Sequence, residues 1–454
     1  MTWNSMRSRP SRRLDLYRGR RALVALLTAA GVATACNTGQ LLDVKAPDRV
    51  PAEILDDPKQ AALMVNSAVG DFECAFGAYV VVEGLISDEL ADAQLGAAAW
   101  PYDRRDANTQ PGGIYGGNPC TSNQNPGIYT PLSTARWSAD AALTKLQAWT
   151  DEEVGSNRTA LIAKAALYAG LSYSAMGMSM CSAAFDLSAP IDQQAMFARA
   201  EERFTTAIAE GTSAGETDIV TAAYVGRARV RLFQGNLPGA ADDAAHVPPG
   251  FVFEASAGSD DNRRYNRVFA VTTQFGFYTV DPQSRNLIVG PTVMPGAAPD
   301  PLPAGFVVDP RSQADSMPTR AADGVSQIWA PHRYESDATP LPIATYDEAQ
   351  LILAETQDPA TAVATINALR DVYGLPHYTG ATDAASVRTL IIDERRRALF
   401  AQGFRNYDIE RFALPLVPAP GTDYPLKGGT YGNTTCLPLP DIERFNNPNV
   451  PPGS

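Results

Sequence analysis

The first apolar stretch of the chain is short and follows a basic segment. Arg7, Arg9, Arg12, Arg13, Arg18, Arg20 and Arg21 precede the run ALVALLTAAGV, Ala22 to Val32. Such a run of about eleven residues fits the core of a secretory leader and falls short of the ~20 residues that span a bilayer. No second apolar run reaches membrane-spanning length. The later pattern is different: small and apolar positions recur at helical spacing through 161–177, 200–207, 228–240 and 346–369, which predicts paired, closely packed helices. Between Trp100 and Tyr129 the pattern breaks. That stretch is rich in Gly, Asn, Gln and Pro, cannot form a packed core, and predicts a long surface loop.

The spacing inside the helical segments is specific. In LIAKAALYAGLSYSAMG, Gly170, Tyr173 and Gly177 occupy the positions that a tetratricopeptide repeat gives to small, aromatic and small residues. Ala200, Phe204 and Ala207 match the second helix of such a repeat, after an insertion of about 18 residues that contains Cys181. A compact second copy runs through Ala228, Gly235 and Ala240, and a weaker third through Tyr346, Ala349 and Ala354 to Ala362, Ile366 and Leu369. The expected fold is mainly α, with tetratricopeptide-like helical repeats, long irregular loops and minor β. Inserted loops in such arrays cluster on one face, commonly the binding face.

The leader ends at Ala33, Thr34, Ala35 and Cys36, which resembles a lipobox, although Ala33 stands where leucine is usual. The expectation is a signal peptide over 1–35, with Cys36 lipidated as the first residue of a single mature domain, 36–454, made of parts 36–260 and 261–454. Seven arginines and Asp15 leave with the leader, so the net charge moves from -13 to about -19. That surface repels phosphates, and no basic patch interleaved with aromatics offsets it, so a nucleic-acid partner is disfavoured. Cys74, Cys120, Cys181 and Cys436 lack the close pairs of a zinc site; in an oxidising compartment they suggest up to two disulfides, with three connectivities open.

A family resemblance rests on several segments in order. The start CNTGQLLDVKAPDRV and the helix ALMVNSAVGDFECAFGAYVVVEGLISDEL resemble SusD/RagB-type nutrient-uptake lipoproteins. So does VRTLIIDERRRALFAQGFRNYDIERF, with Glu394, Arg395 and Arg396 followed by a Gly-x-Arg-x-x-Asp turn at Gly403, Arg405 and Asp408; Asn406 stands where many members have an aromatic. Tyr346, Glu348 and Ala349 fit the preceding family helix, and TTCLPLPDIERFNNPNV resembles the closing proline-rich strap. The resemblance implies a cell-surface, outer-membrane protein held by a lipid anchor. Its partner would be a SusC-like TonB-dependent transporter, and its ligand an oligosaccharide, with peptide the alternative. A periplasmic helical-repeat adaptor is the competing class.

Catalysis is not expected. Asp393 reaches Arg396 and Arg397, and Asp408 reaches Arg411, at helical spacing, so ion pairing accounts for these charges. The acidic doublets Asp88 and Glu89, Asp242 and Asp243, and Asp260 and Asp261 are adjacent rather than opposed across a cleft, which is not the arrangement of a glycosidase pair. His246, His332 and His377 are far apart, without a metal-binding spacing, and no phosphate-cradling loop, dinucleotide fingerprint or nucleophile elbow appears, so no cofactor or zinc is expected; calcium has no twelve-residue loop and stays open only through loop carboxylates such as Asp260. The candidate ligand contacts are aromatic, because a ring face stacks on the CH face of a sugar while Asn, Gln and Arg bond its hydroxyls. They are Trp100, Tyr102, Tyr115 and Tyr129 in the first loop, and Trp329 and Tyr334 in IWAPHRYESD. Asp103, Arg104, Arg105 and Asp106 resemble a family element that anchors this loop by ion pairs.

Overall fold

Small residues decide how the helices approach one another. Phe204 lies between two glycines: a Cβ on Gly170 would come within 2.7 Å of its ring, and one on Gly226 within 2.5 Å. Phe197 fills the same role against Gly177. The expected pairing of Gly170 and Gly177 with the next helix therefore holds. The computed structural model describes residues 56–96, 100–107, 120, 127–260, 263–294 and 298–451; the leader and Cys36 lie outside them.

The helical layer runs through α1 (Ala61–Ile86), α2 (Tyr129–Ala148), α3 (Arg158–Ser179), α4 (Gln193–Ala214), α5 (Thr217–Phe233) and α6 (Leu237–Ala244), with neighbours packed in sequence order. Asp192 caps α4 through the Ala195 amide, and Gly215, in the left-handed region, ends it. Most of α1 is buried on all sides, which is why it reads as an almost continuous apolar run rather than an amphipathic stripe. The third repeat is α7 (Tyr346–Thr356) with α8 (Pro359–Val372), followed by α9 (Ala384–Ala398) and α10 (Arg405–Phe412). Ala354, Ala362 and Ile366 share a core cluster with Val387 and Leu390 of α9.

The β content is minor and local, as expected. Among the described strands are β1 (Leu90–Asp92), β2 (Val252–Ala255), β3 (Tyr278–Val280), β4 (Ala314–Arg320), β5 (Gln327–Pro331) and β6 (Leu341–Thr345). They form two-stranded antiparallel pairs, β1 with β3, β2 with β6 and β4 with β5. The cysteines pair Cys74 with Cys120 and Cys181 with Cys436, each joining a helix or helix end to a loop. The second bridge pins the final strap to the end of α3, where Cys181 N–H also donates to the Leu437 carbonyl at 2.9 Å.

The charged C-terminal helix is organised by contacts far apart in sequence. Glu394 is fully buried and accepts from Arg311 of the loop before β4, Arg370 of α8 at 2.8 Å, and Arg397 at 3.0 Å. These three arginines hold its carboxyl well below the usual range against the opposing effect of burial. Asp393 pairs with Arg397 and Asp408 with Arg411 as the spacing indicates. Arg396 instead turns to Asp88 at 3.3 Å, which Arg405 also grips at 2.6 Å. Burial would raise the Asp88 carboxyl, yet Arg405 and Arg396 bring it to about 2.

Replacing Glu394 with Ala leaves the buried Arg370 without a carboxylate and takes one partner each from Arg311 and Arg397. The expected loss is about 3–5 kcal/mol of unfolding free energy, read as a lower urea midpoint. An unchanged midpoint would show the cluster to be dispensable.

Candidate functional site

Polar and aromatic side chains surround a cavity where the first loop leaves the body. After β1 the chain enters a short helix, Trp100–Asp103, and then turns at Arg105, whose φ of 54° is unusual for a bulky residue. This turn is gripped by the strap before Cys436. The Arg105 guanidinium donates to the carbonyls of Val417, at 3.1 Å, and Pro418, while Gly432 and Thr434 donate their amides back to the carbonyls of Arg104 and Arg105. Gly432 has to be glycine, because a Cβ there would collide with the Arg105 carbonyl. The anchoring expected of this cluster is thus only partly by ion pairs: Arg104 pairs with Asp106 at 2.9 Å, whereas Arg105 uses backbone carbonyls.

Between this turn, β1, β3 and the strap lies a cleft of about 350 Å³. Its lining includes Asp92, Asp103, Asp281, Gln327, Tyr424 and Lys427. Asp103 Oδ2 accepts from the Tyr424 hydroxyl at 2.6 Å and the Asp92 amide at 2.9 Å. Burial nevertheless pushes the Asp103 carboxyl up to about 7, and the Asp281 carboxyl up to about 6 against the Gln283 amide. Lys427 pairs with Asp92. Tyr424 and Tyr431 meet edge to face, with centroids 5.1 Å apart.

Trp329 stands beside this cleft. Its amide donates to Thr279 Oγ1 at 2.8 Å, and its ring, partly exposed, lies 5.2 Å from the Arg285 guanidinium. Thr279 and Arg285 both line the cleft. A partly exposed indole beside a cleft lined by carboxylates can stack on an apolar ring face while acceptors take the sugar's hydroxyls.

The other sequence candidates divide. Tyr102, Tyr129 and Tyr334 are corrected to core residues: each ring is buried and offers no face to a ligand. The Tyr129 hydroxyl donates to the Ala184 carbonyl at 3.0 Å and that of Tyr334 to the Ala401 carbonyl at 2.8 Å, so each ring locks an irregular segment. Trp100 starts the short helix, and nothing is described of its side chain; Tyr115 lies outside the described residues. Sequence reasoning missed Asp281, Arg285, Tyr424, Lys427 and Tyr431. Tyr424, Lys427 and Tyr431 had a local signal, aromatic and charged residues within the Gly- and Pro-rich run YPLKGGTYG, whereas Asp281 and Arg285 lie outside it.

Two of the acidic doublets are engaged elsewhere, and Asp261 of the third lies outside the described residues. Asp243 is buried between Arg227 and Arg231, and Asp88 between Arg405 and Arg396. Among the described residues no three His, Cys, Asp or Glu side chains are grouped to hold a metal ion, and no helix is long and apolar enough to cross a membrane.

This architecture is that of SusD-like proteins. A SusD-like carbohydrate binding protein from Bacteroides vulgatus ATCC 8482 superimposes with a TM-score of 0.62 at 14% identity, covering 87% of this chain and 97% of that one. A SusD superfamily protein from the same organism gives 0.57 at 14% identity over 87% and 98%, and a laminarin binding SusD-like protein 0.56 at 16% identity over 87% and 99%. Residues 345–436 match the model of the SusD family. The chain is SusD/RagB-like in fold and in this C-terminal segment, as the sequence resemblance implied. A search of curated proteins gives no match.

Glu89, next to Asp88, supplies a test of the electrostatics. Burial pushes its carboxyl up to about 8, against the Ala401 amide that donates to it at 3.1 Å. The native state therefore keeps a proton that the unfolded chain has lost between about pH 4.5 and 8, so this contribution to stability is complete below that window and lost as pH rises through it. Asp103 and Asp281 act in the same direction. Glu89→Gln is expected to flatten part of the fall in unfolding free energy between pH 5 and 8, by an amount on the order of a few kcal/mol, read from urea midpoints across that range. A pH profile parallel to that of the wild type would contradict it.

Proposed function

We propose that this protein is a lipid-anchored, cell-surface component of an outer-membrane uptake system, which captures oligosaccharide without breaking it and delivers it to a SusC-like TonB-dependent barrel. The observation that carries the reading is the partly exposed Trp329, stacked with Arg285 at the edge of the cleft below the first loop, within a SusD-like fold. Related structures described as carbohydrate binding and laminarin binding support sugar as the ligand class. Affinity comes from ring stacking and a few placed polar groups, as in other pre-formed sites. The Cys36 lipid holds the body at the membrane.

A thermal-shift screen of residues 37–454 against oligosaccharides and peptides tests the ligand class. A sugar-dependent rise is expected, with Trp329→Ala lowering affinity about ten-fold, or ~1.4 kcal/mol. Trp100→Ala and Tyr115→Ala test the first loop in the same assay. A rise with peptides alone would move the ligand class, and silence across both panels would sink the capture reading. Cys36→Ser is expected to move the protein from the membrane fraction to the soluble fraction; retention in the membrane would refute the anchor.

A further inference from the structure

Where α1 meets α10, buried acceptors outnumber donors. Glu83, in the last turn of α1, is 1% exposed, and neither of its carboxyl oxygens has a hydrogen-bond donor among the described residues. Asn406 Oδ1 and Glu410 Oε2, both on α10, are buried atoms without a donor as well. The Asn406 amide is committed to the strap, where it donates to the Thr435 carbonyl at 2.7 Å.

The charges that face Glu83 have one sign. Glu410 of α10 and Glu89, just beyond the end of α1, both repel an ionised Glu83. Tyr79, one turn earlier on α1, gives its hydroxyl to the Gly403 carbonyl. The neighbouring cations are matched: Arg229, near Tyr79, pairs with Glu348, and Arg395 and Arg411 pair with Asp408. Glu410 itself is eased by the Gln193 amide of α4, and Asn406 is the group that favours a charged Glu83. A carboxylate here would be buried, repelled and short of donors, whereas a proton removes the charge and adds a donor to the set. Burial and the two carboxyl neighbours accordingly hold the Glu83 carboxyl well above the usual range.

We propose that Glu83 stays a neutral acid in the folded protein and works as a proton latch: its proton closes the joint between α1 and α10, and its loss frees the strap that borders the cleft. The coupling runs through Asn406. An ionised Glu83 is a stronger acceptor than the Thr435 carbonyl and draws on the same amide, so the strap loses its tie to α10. The disulfide still holds Cys436, and the segment released is the one before it, which carries Tyr424, Lys427 and Tyr431 of the cleft lining. A carboxyl raised by folding contributes its stability below the unfolded value and loses it as pH rises through the folded one, so the latch opens on the alkaline side. This device does not depend on which ligand the cleft takes.

Two measurements on residues 37–454 test it. In infrared difference spectra at pH 7, wild type minus Glu83→Gln is expected to show the C=O stretch of a protonated carboxyl; its absence overturns the proposal. Hydrogen exchange, corrected for its intrinsic pH dependence, is then followed from pH 7 to 10. The Gly432 and Thr434 amides, which bond the Arg104 and Arg105 carbonyls, are expected to exchange about ten-fold faster at the alkaline end, while amides inside α4 keep their protection. Glu83→Gln is expected to remove that acceleration. Glu410→Gln, which takes away a repelling charge, is expected to move its onset to lower pH. A strap that keeps its protection overturns the latch, and so does an acceleration shared equally by strap and α4, which would be a general loss of stability. If Glu83→Gln does not fold, Glu410→Gln decides: an onset that stays in place or moves upward overturns the latch.

Discussion

The buried carboxylate of Glu394 is the constraint around which the C-terminal half is arranged. Its partners come from α8, from α9 itself and from the turn at Asp309–Arg311, where Asp309 also contacts Arg311 and Arg397. A cluster of this kind contributes little net stability, because desolvating several ions offsets most of their attraction. Its effect is specificity: with any partner missing, a charge is left buried and uncompensated. The irregular chain before β4 is thereby fixed to the helices, and with it the β4–β5 hairpin that carries Trp329. The site depends on a network that touches no part of the cleft.

A second clamp of the same nature joins the two ends of the fold. Asp88, just after α1, is held by Arg396 and Arg405 of the C-terminal helices. Nearby, the Tyr79 hydroxyl donates to the Gly403 carbonyl at 2.6 Å, and a Cβ on Gly403 would strike the Tyr79 ring. The Gly-x-Arg-x-x-Asp turn is therefore a socket for α1: Gly403 gives clearance, Arg405 grips Asp88, and Asp408 holds Arg395 and Arg411. Asn406, next to Arg405, donates to the Thr435 carbonyl at 2.7 Å and ties the strap to this socket.

What the sequence made legible was what depends on local spacing. The glycine and aromatic positions of α3 and α4 were readable because packing at helical period leaves a fixed imprint: Gly170 and Gly177 must be small where Phe204 and Phe197 enter. Asp393 with Arg397 was readable for the same reason, whereas Arg396 was assigned to the wrong partner because Asp88 lies 308 positions away. The cleft was the least legible part. Asp92, Asp281 and Tyr424 meet only through tertiary structure, and nothing near Tyr102, Tyr129 or Tyr334 distinguishes a ring that stacks on a ligand from one that fastens its own loop. Of the six aromatic candidates, Trp329 is the one whose described side chain is not buried.

The Cys181–Cys436 bridge closes a separation of 255 residues, and Lys427 reaches back 335 positions to Asp92. These links set an order on folding, because what they close has to wait for the C-terminal segment. The repeats from α2 to α6 can form as they emerge, but the socket for α1, the floor of the cleft and the second disulfide all wait for the final residues. A chain stopped some thirty residues short would have folded helices, an unpartnered Cys181 and an open cleft. Completion of the C-terminal segment thus acts as a checkpoint: the cleft takes shape only once the strap that carries Lys427 and Cys436 is in place.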